Sequence, residues 1–519
     1  MLEFIRKHAA NVIGVLSGFD RLYFRGMLRK LHYTWGLNMY LCMHGIPFKH
    51  AAAHFLEVSG RIKAASLRKA EEQQRPIIYQ ESAQASKEQV ALTIARRDGI
   101  RAGLICVLST LEVCRSFQIY RNKQTKLLEL RPAARKCLHY YHYFQHPQLG
   151  LLHARLQTWF PFNLNICLNG REWLAHALEH EGVGFQKSDN CFTWLSDPIR
   201  AQQLADGQLR TNWEELLSSI ALQVNPLVNE AFGKFNTQYY WAAAQSEWAT
   251  DVMFKTPQAL GALYPSLVRQ GITAFKSPDV LRFLGKKSEL TRHPLFEQAV
   301  VSDLKTRLEG LRIKHSVGAN SVKMYDKAGS VLRVETTMND ASGFKAFRPK
   351  EGDPEGLKAW RELRKGVADM PRRAEVSQKC NERYLDAQAK TENERTLWEC
   401  VKSSGKRVLW KGRPARALNL LGQDGEILEV LGRGEHALNG FRNRDLQAHL
   451  YGKIAATKEE AKRRCGKVTR LLRLLRAHQI IEKVQKTHRY QLTAKGRETT
   501  IALNIAKASS IKKLAALAA

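Results

Sequence analysis

Four carboxylates stand out for their settings: Asp20, Glu112, Glu247 and Asp251. Asp20 closes the apolar run Ile13-Gly14-Val15-Leu16-Ser17-Gly18-Phe19, and Glu112 follows the apolar run Ala102-Gly103-Leu104-Ile105-Cys106-Val107-Leu108. Glu247 and Asp251 lie in a stretch from Asn212 to Phe254 that reads as helix, where a spacing of four puts both on one face. Acids set among apolar neighbours in this way could converge on divalent metal, whose chemistry at phosphorus is well defined. Two divalent cations about 4 Å apart activate a water or a 3′-hydroxyl and stabilise the leaving oxygen. Magnesium takes few carboxylates, because waters and substrate phosphate complete its shell. Asp20, Glu112, Glu247 and Asp251 are therefore the candidate catalytic and metal-binding residues, with Mg2+ as the cofactor. The competing reading is capping and ion pairing, since a chain with 49 Asp and Glu offers such sets readily.

That order of acids resembles ribonuclease-H-like nucleases and transposases, and the resemblance implies an α/β body with an inserted subdomain between Glu112 and Glu247. A second constellation is Lys323-Met324-Tyr325-Asp326-Lys327 followed by Leu332-Arg333-Val334-Glu335. It resembles a hairpin of phage and plasmid replication initiators, which implies Tyr325 as a nucleophile toward phosphodiester. Lys323, Lys327 and Arg21 would then steady phosphate. The packed-aromatic reading of Tyr325 stands beside it. His139 and His142, three apart on an expected strand, fall on opposite faces, which argues against joint metal ligation; His142 is expected to be partly exposed.

Rings and cations alternate at Cys114–Lys123, with Arg115 and Arg121, and at Phe344–Lys350, with Lys345 and Arg348. Such interleaving suits stacking on unpaired bases beside phosphate contacts; half-buried strand aromatics with solvated neighbours are the alternative. No phosphate loop, H-E-x-x-H, G-x-S-x-G or dinucleotide fingerprint is present, which removes the support for ATPase, zincin and serine-hydrolase readings.

The charge narrows the partner. The 519 residues carry 82 Lys and Arg against 49 Asp and Glu, a net of +33. Such a surplus attracts polyanions and releases their counterions on binding. No run approaches the ~20 apolar residues of a membrane span, and no basic amphipathic anchor is evident. Nucleic acid is the expected partner, DNA first and RNA second, with a dimer allowed. The N-terminus reads as the start of an amphipathic helix rather than a signal peptide. The nine cysteines form no C-x-x-C pair, as expected of scattered thiols in a reducing cytoplasm.

Half of the excess charge lies in Val401–Ala519, which holds 26 Lys and Arg and 9 Asp and Glu, a net of +17. A short helix is expected near Gly440–Leu446. A longer one from Thr457 to His478 has Val468, Leu471, Leu472 and Leu475 on a buried stripe and Lys467, Arg470 and Arg473 opposite. Alternation at Ile480–Val484 and Tyr490–Thr493, around a basic turn, predicts a hairpin. This order resembles bacterial winged-helix DNA-binding domains. The resemblance implies that Lys467, Arg470 and Arg473 face DNA from the helix and that Lys486, His488 and Arg489 touch it from the wing. A basic face on a protein-docking module is the alternative.

The body alternates in type, giving a mixed α and β fold. Val12–Leu28 is expected as two strands around a tight feature, and Ala102–Leu108 as a buried, parallel strand. Ser321–Tyr325 and Val331–Thr337 are expected as strands flanking a turn. The expected organisation is 1–113 as the first part of an α/β core and 114–235 as an inserted hairpin and helical subdomain. Residues 236–350 complete the core, 351–400 form a charged helical connector, and 401–519 form the basic winged-helix domain.

Gly18-Phe19-Asp20-Arg21, Lys136-Cys137-Leu138-His139-Tyr140-Tyr141 and Asn169-Gly170-Arg171-Glu172-Trp173-Leu174-Ala175 resemble a multicopy family of bacterial proteins of mobile-element character. Tyr325-Asp326-Lys327, Glu335–Asn339 and Gly440–Leu446 extend the likeness along the chain. It implies a mobile-element or replication setting and no mechanism. The leading expectation is a transposase-like or nuclease-like enzyme acting on DNA with divalent metal. The alternative is a non-catalytic protein binding an element-encoded RNA or a replication origin. A transcription regulator is a third reading, which leaves the body unexplained.

Overall fold

The computed structural model describes residues 1–81, 86–285, 300–307, 310–350, 353, 355–389, 397–432, 436, 440–453, 455–484 and 487–510. The chain divides into one unit of Met1–Ala262 with Ser277–Leu385 and a second of Leu263–Lys276 with Asp386–Ala519.

The first unit is built on a large mixed sheet. In chain order its strands are β1 (Val12–Leu28), β2 (Ile77–Tyr79), β3 (Gly103–Arg121), β4 (Leu128–His146), β5 (Gly150–Gln157) and β6 (Leu164–Asn169). A separate hairpin, β7 (Phe185–Ser188) and β8 (Cys191–Leu195), precedes β9 (Tyr239–Phe254), β10 (Val300–Arg307), β11 (Gly310–Val317), β12 (Asn320–Lys327) and β13 (Val331–Met338). Among the described residues the sheet has 11 strands in the order β10-β11-β12-β13-β9-β1-β6-β5-β4-β3-β2. β1 lies at its centre, antiparallel to both β6 and β9. The pairing of β2 with β3 is parallel, while β3 runs antiparallel to β4.

Several expectations change here. Val12–Leu28 is one 17-residue strand rather than two. The expected helix through Asn212–Phe254 stops at Val224, and Glu247 and Asp251 lie on β9. Trp241-Ala242-Ala243-Ala244 has good helix formers, but burial between β1 and β13 decides against helix, since propensity is a weak prior against tertiary packing. Segment 114–235 is not a separate insertion, because β4, β5 and β6 continue the main sheet. Segment 351–400 is not a free connector either. Its helix Met370–Ala389 packs under β9, where Gln378 accepts from Trp248 Nε1 at 2.7 Å and Asn381 donates to the Trp248 carbonyl at 3.0 Å.

One sheet face carries the main core. Alternate residues Leu152, Ala154 and Leu156 of β5 and Leu164, Ile166 and Leu168 of β6 pack with Phe55, Ile62, Trp213 and Leu217 from covering helices. Each Leu, Ile or Phe among them supplies roughly 1.5–3 kcal/mol of transfer free energy. The opposite face has two smaller apolar clusters. Helix Lys87–Arg97 sets Ala91 and Ile94 on Ile105, Leu108 and Tyr143. Helices Gly170–His180 and Pro198–Gly207, with β7 and β8, cover Leu16, Met253 and Val331.

Gly170 begins its helix where β6 ends, and the Asn169 side chain caps it by accepting from the Arg171 N–H at 2.7 Å. A Cβ at Gly170 would stand 2.5 Å from the Phe19 carbonyl oxygen. Gly170→Ala is expected to destabilise the first unit by about 1–3 kcal/mol, the usual cost of overpacking. A urea midpoint equal to wild type would refute the close approach.

The second unit contains helix Leu397–Ser404, β16 (Val408–Trp410), β17 (Arg413–Ala415) and helices Gly425–Leu431, Asn443–Tyr451 and Lys458–Ala477. The hairpin β18 (Ile481–Lys483) and β19 (Tyr490–Leu492) and helix Ala494–Ala508 follow. In the first unit β14 (Lys345–Arg348) and β15 (Ala359–Glu362) form a two-stranded ribbon. Val468, Leu472 and Leu475 of the long helix join Leu428, Phe441, Leu446, Ile481 and Leu503 in the second unit's core. Among the described residues no helix is long and apolar enough to cross a membrane.

Candidate functional site

The local origin of the site is a bulge in β1. Phe19 pairs with Trp248 and Leu22 with Ser246, so Asp20 and Arg21 together stand opposite Glu247. The extra residue keeps Phe19 and Leu22 on the main core face. It also turns Asp20 and Arg21 to the other face, as bulges re-aim side chains. Asp20 is thereby 1% exposed, while Arg21 stays at the surface.

Register does the rest. Asp251 of β9 faces Arg333 of β13, and Arg333 faces Tyr325 of β12; Glu335 faces Lys323. Successive side chains alternate across a strand, so Glu247 and Asp251, Arg333 and Glu335, and Lys323, Tyr325 and Lys327 share one face.

Asp20, Glu247 and Glu335 each place a carboxylate oxygen within 4.8 Å of the others. Arg333 donates to Asp20 Oδ2 at 2.8 Å, to Asp251 Oδ1 at 2.6 Å and to Asp251 Oδ2 at 2.9 Å. Arg171 lies 3.1 Å from Asp251 Oδ2. Lys323 donates to Glu335 Oε1 at 2.7 Å and lies 3.6 Å from Glu247 Oε1. The Tyr325 hydroxyl donates to Glu335 Oε2 at 2.7 Å. Asn190, beside the β7–β8 turn, donates to Asp20 Oδ2 at 2.5 Å. Asp20 Oδ1 is buried without a hydrogen-bond partner among the described residues.

The electrostatics follow from this crowding. Burial raises the Asp20 pKa, against the pull of Arg333, with Glu335 adding to the rise. Burial, then the neighbouring Glu335, lifts Glu247 to about 7. Burial also opposes ionisation of Glu335, but Lys323, Arg333 and its hydrogen bonds bring the net value below normal. Burial pushes the Tyr325 phenol well up, and Glu335 reinforces it. At Glu247 burial, helped by Glu335, thus outweighs the pull of Lys323, and proton binding extends to neutral pH.

Beside the acids lies a cavity of about 370 Å³ lined by Arg307, Gly310, Arg312, Lys323, Tyr325 and Lys327. Lys323 and Tyr325 belong to both features. A cationic cavity that shares Lys323 and Tyr325 with the surroundings of a carboxylate cluster is of a kind that can seat a phosphate near a divalent ion.

The two constellations expected separately thus meet: Asp20 and Glu247 with Lys323, Tyr325 and Lys327. Glu112 does not join them. It lies on β3, three strands beyond β6, and takes hydrogen bonds from Tyr141 at 2.6 Å and Arg155 Nε at 3.1 Å. Asp251 is adjacent, but its oxygens are taken by Arg333 and Arg171, so it acts as a counter-ion. Glu335 replaces it. The signal was available in Leu332-Arg333-Val334-Glu335, where strand alternation puts Arg333 and Glu335 on one face. Arg171 and Asn190 come from distant segments and had no such signal.

Other candidates scatter. Arg115, Arg121 and Lys345 are exposed on β3 and β14. Arg348 is withdrawn: it is 6% exposed and donates to the Glu362 carbonyl at 3.1 Å. His142 is buried rather than partly exposed, within 3.0 Å of the Ser66 carbonyl. In the second unit Lys467, Arg470 and Arg473 are exposed on helix Lys458–Ala477, and Arg489 is half-buried. Lys486 lies outside the described residues.

No family model, curated protein or solved structure matches the chain.

Proposed function

We propose that the protein binds DNA and cuts or joins its phosphodiester bonds with a divalent cation, Mg2+, as a transposase-like or nuclease-like enzyme of a mobile element. The observation that carries this reading is that Lys323 and Tyr325 line a cavity with Arg307, Arg312 and Lys327 and also hydrogen-bond Glu335 of the Asp20–Glu247–Glu335 cluster. The residues fit a cation: three carboxylates converge, and the buried Asp20 Oδ1 has no partner among the described residues. When bound, the ion supplies water activation and charge stabilisation. Asp20, Glu247 and Glu335 would hold it, while Lys323, Lys327, Arg307 and Arg312 orient the phosphate. Tyr325, fixed by Glu335, borders the same phosphate position. The ribonuclease-H-like ordering supports a central first-strand acid, though the other acids here come from neighbouring strands rather than a helix.

The second unit supports DNA binding. Its helix Asn443–Tyr451, basic helix Lys458–Ala477 and hairpin β18–β19 follow the order of a winged helix, and Phe441 bridges to Tyr490 beside the hairpin. In that reading Lys467, Arg470 and Arg473 enter the major groove.

One observation favours a second, non-catalytic reading, with RNA or an origin as target: Glu335 already accepts from Lys323 and Tyr325, so the acids also make sense as an ion-pair core. Supercoiled plasmid incubated with Mg2+, Mn2+ or EDTA separates the two. Metal-dependent nicking is expected, reduced about 10–100-fold or more by Asp20→Asn or Glu335→Gln, the range seen when groups that hold or orient a metal are lost, with duplex binding retained. Wild-type protein that binds duplex but never nicks supports the second reading, and full activity in either variant removes the metal assignment.

A further inference from the structure

The ribbon of β14 and β15 has two unlike sides. Inward, Ala346 is 4% exposed and packs with Phe344, Leu363, Met338 and Ala341, which anchors the ribbon. Outward, Phe347 and Trp360 sit directly opposite each other in register. Their ring centroids are 5.6 Å apart with planes at 53°. They are 57% and 65% exposed. The anchorage of the ribbon does not need these rings.

Between them and helix Met370–Ala389 lies a cavity of about 160 Å³ whose lining includes Phe347, Trp360, Lys345, Lys379, Arg383 and Glu375. Three cations meet one acid at its wall. Arg383 is held in place by donating to the Phe283 carbonyl at 2.7 Å, Lys379 pairs at the surface with Glu375 at 2.5 Å, and Lys345 is exposed. Flat rings beside cations match a nucleobase and its phosphate. The bases of a duplex are stacked internally and cannot reach exposed rings, whereas an unpaired strand offers both faces of each base.

We propose that Phe347 and Trp360 form a stacking slot for an unpaired DNA strand, with Lys345, Lys379 and Arg383 attracting its backbone. The slot rests on the nucleic-acid reading above and adds the form of the substrate: DNA opened near the bond to be processed.

The test measures anisotropy of labelled oligothymidylate and of a duplex of equal length on the full chain. Phe347→Ala with Trp360→Ala is expected to weaken the single strand by about tenfold or more, the size of one lost base stack, and to leave duplex binding unchanged. Phe347→Tyr with Trp360→Phe keeps both rings and is expected to retain binding. Unchanged strand binding in the alanine pair, or an equal loss on duplex, overturns the slot. A clear preference of the wild type for oligouridylate overturns its assignment to DNA. If the wild type binds neither oligonucleotide, the nucleic-acid reading itself fails; if it binds only duplex, the slot alone fails.

Discussion

Arg333→Met is expected to destabilise the first unit by about 3–5 kcal/mol near neutral pH, the cost of stripping one partner from a buried ion pair. Arg333 is 0% exposed and bridges Asp20 to Asp251, which are also buried. Methionine fills comparable space, so lost packing is a minor part of the effect. What remains is two buried carboxylates, Asp251 beside Arg171 and Asp20 hydrogen-bonded by Asn190, without the cation that bridged them. Removing the guanidinium takes away the cation that opposes the burial-raised pKa of Asp20, so the penalty should shrink as pH falls and Asp20 protonates. Urea unfolding at pH 8 and pH 5 checks both parts. A loss below about 1 kcal/mol at pH 8, the range of an exposed pair, would show that Arg333 is not the keystone of the cluster.

Glu247→Gln should act in the opposite direction. Burial and the proximity of Glu335 lift the Glu247 carboxyl from 4.5 to about 7. Below pH 4.5 the group is protonated in the folded and unfolded chain alike, and it contributes nothing to pH dependence. Between those values the unfolded chain releases a proton that the folded chain keeps, so stability falls as pH rises. Above the folded value the full penalty is present, about 3 kcal/mol at ~1.4 kcal/mol per pKa unit. Glutamine carries no charge at any pH. The variant is therefore expected to be more stable than wild type by up to about 3 kcal/mol at pH 8 and equal to it at pH 4.5. Adding Mg2+ at pH 8 should close the gap, because a cation bound only by the wild-type carboxylates stabilises the folded state by mass action. A gap that is the same at both pH values would contradict the raised carboxyl; a gap indifferent to Mg2+ would contradict the metal site.

What the amino-acid order disclosed depended on how local the determining forces were. Helix Lys458–Ala477 and hairpin β18–β19 were legible because one face of each is apolar at its own period. β13 is buried at all eight positions and β9 at most, so neither shows the alternation that marks a half-exposed strand. That is why the sequence around Glu247 and Asp251 reads as helix. They still share a face, since a spacing of four returns to the same side of a strand as well. Asp20 was visible as an acid among apolar neighbours. The bulge that aims it was not, because it exists only in the pairing of β1 with β9. Glu112 looked equivalent to Asp20 in sequence and differs through the strand order, which places β4, β5 and β6 between them. Glu335 lay inside a recognised motif, yet its closeness to Asp20 follows from register across two strand pairs.

The bond from Arg333 to Asp20 spans 313 residues. A ribosome adding ~5–20 residues per second needs roughly 15–60 s to supply the second partner after the first has emerged. During that interval β1 can already pair with β6 and rest on the earlier helices, while its other edge waits for β9. An interrupted or truncated translation product therefore carries a half-sheet with a lone acid and no assembled cluster. The cluster cannot assemble before the strand that carries Arg333 and Glu335 has been made, so its formation is timed by synthesis itself.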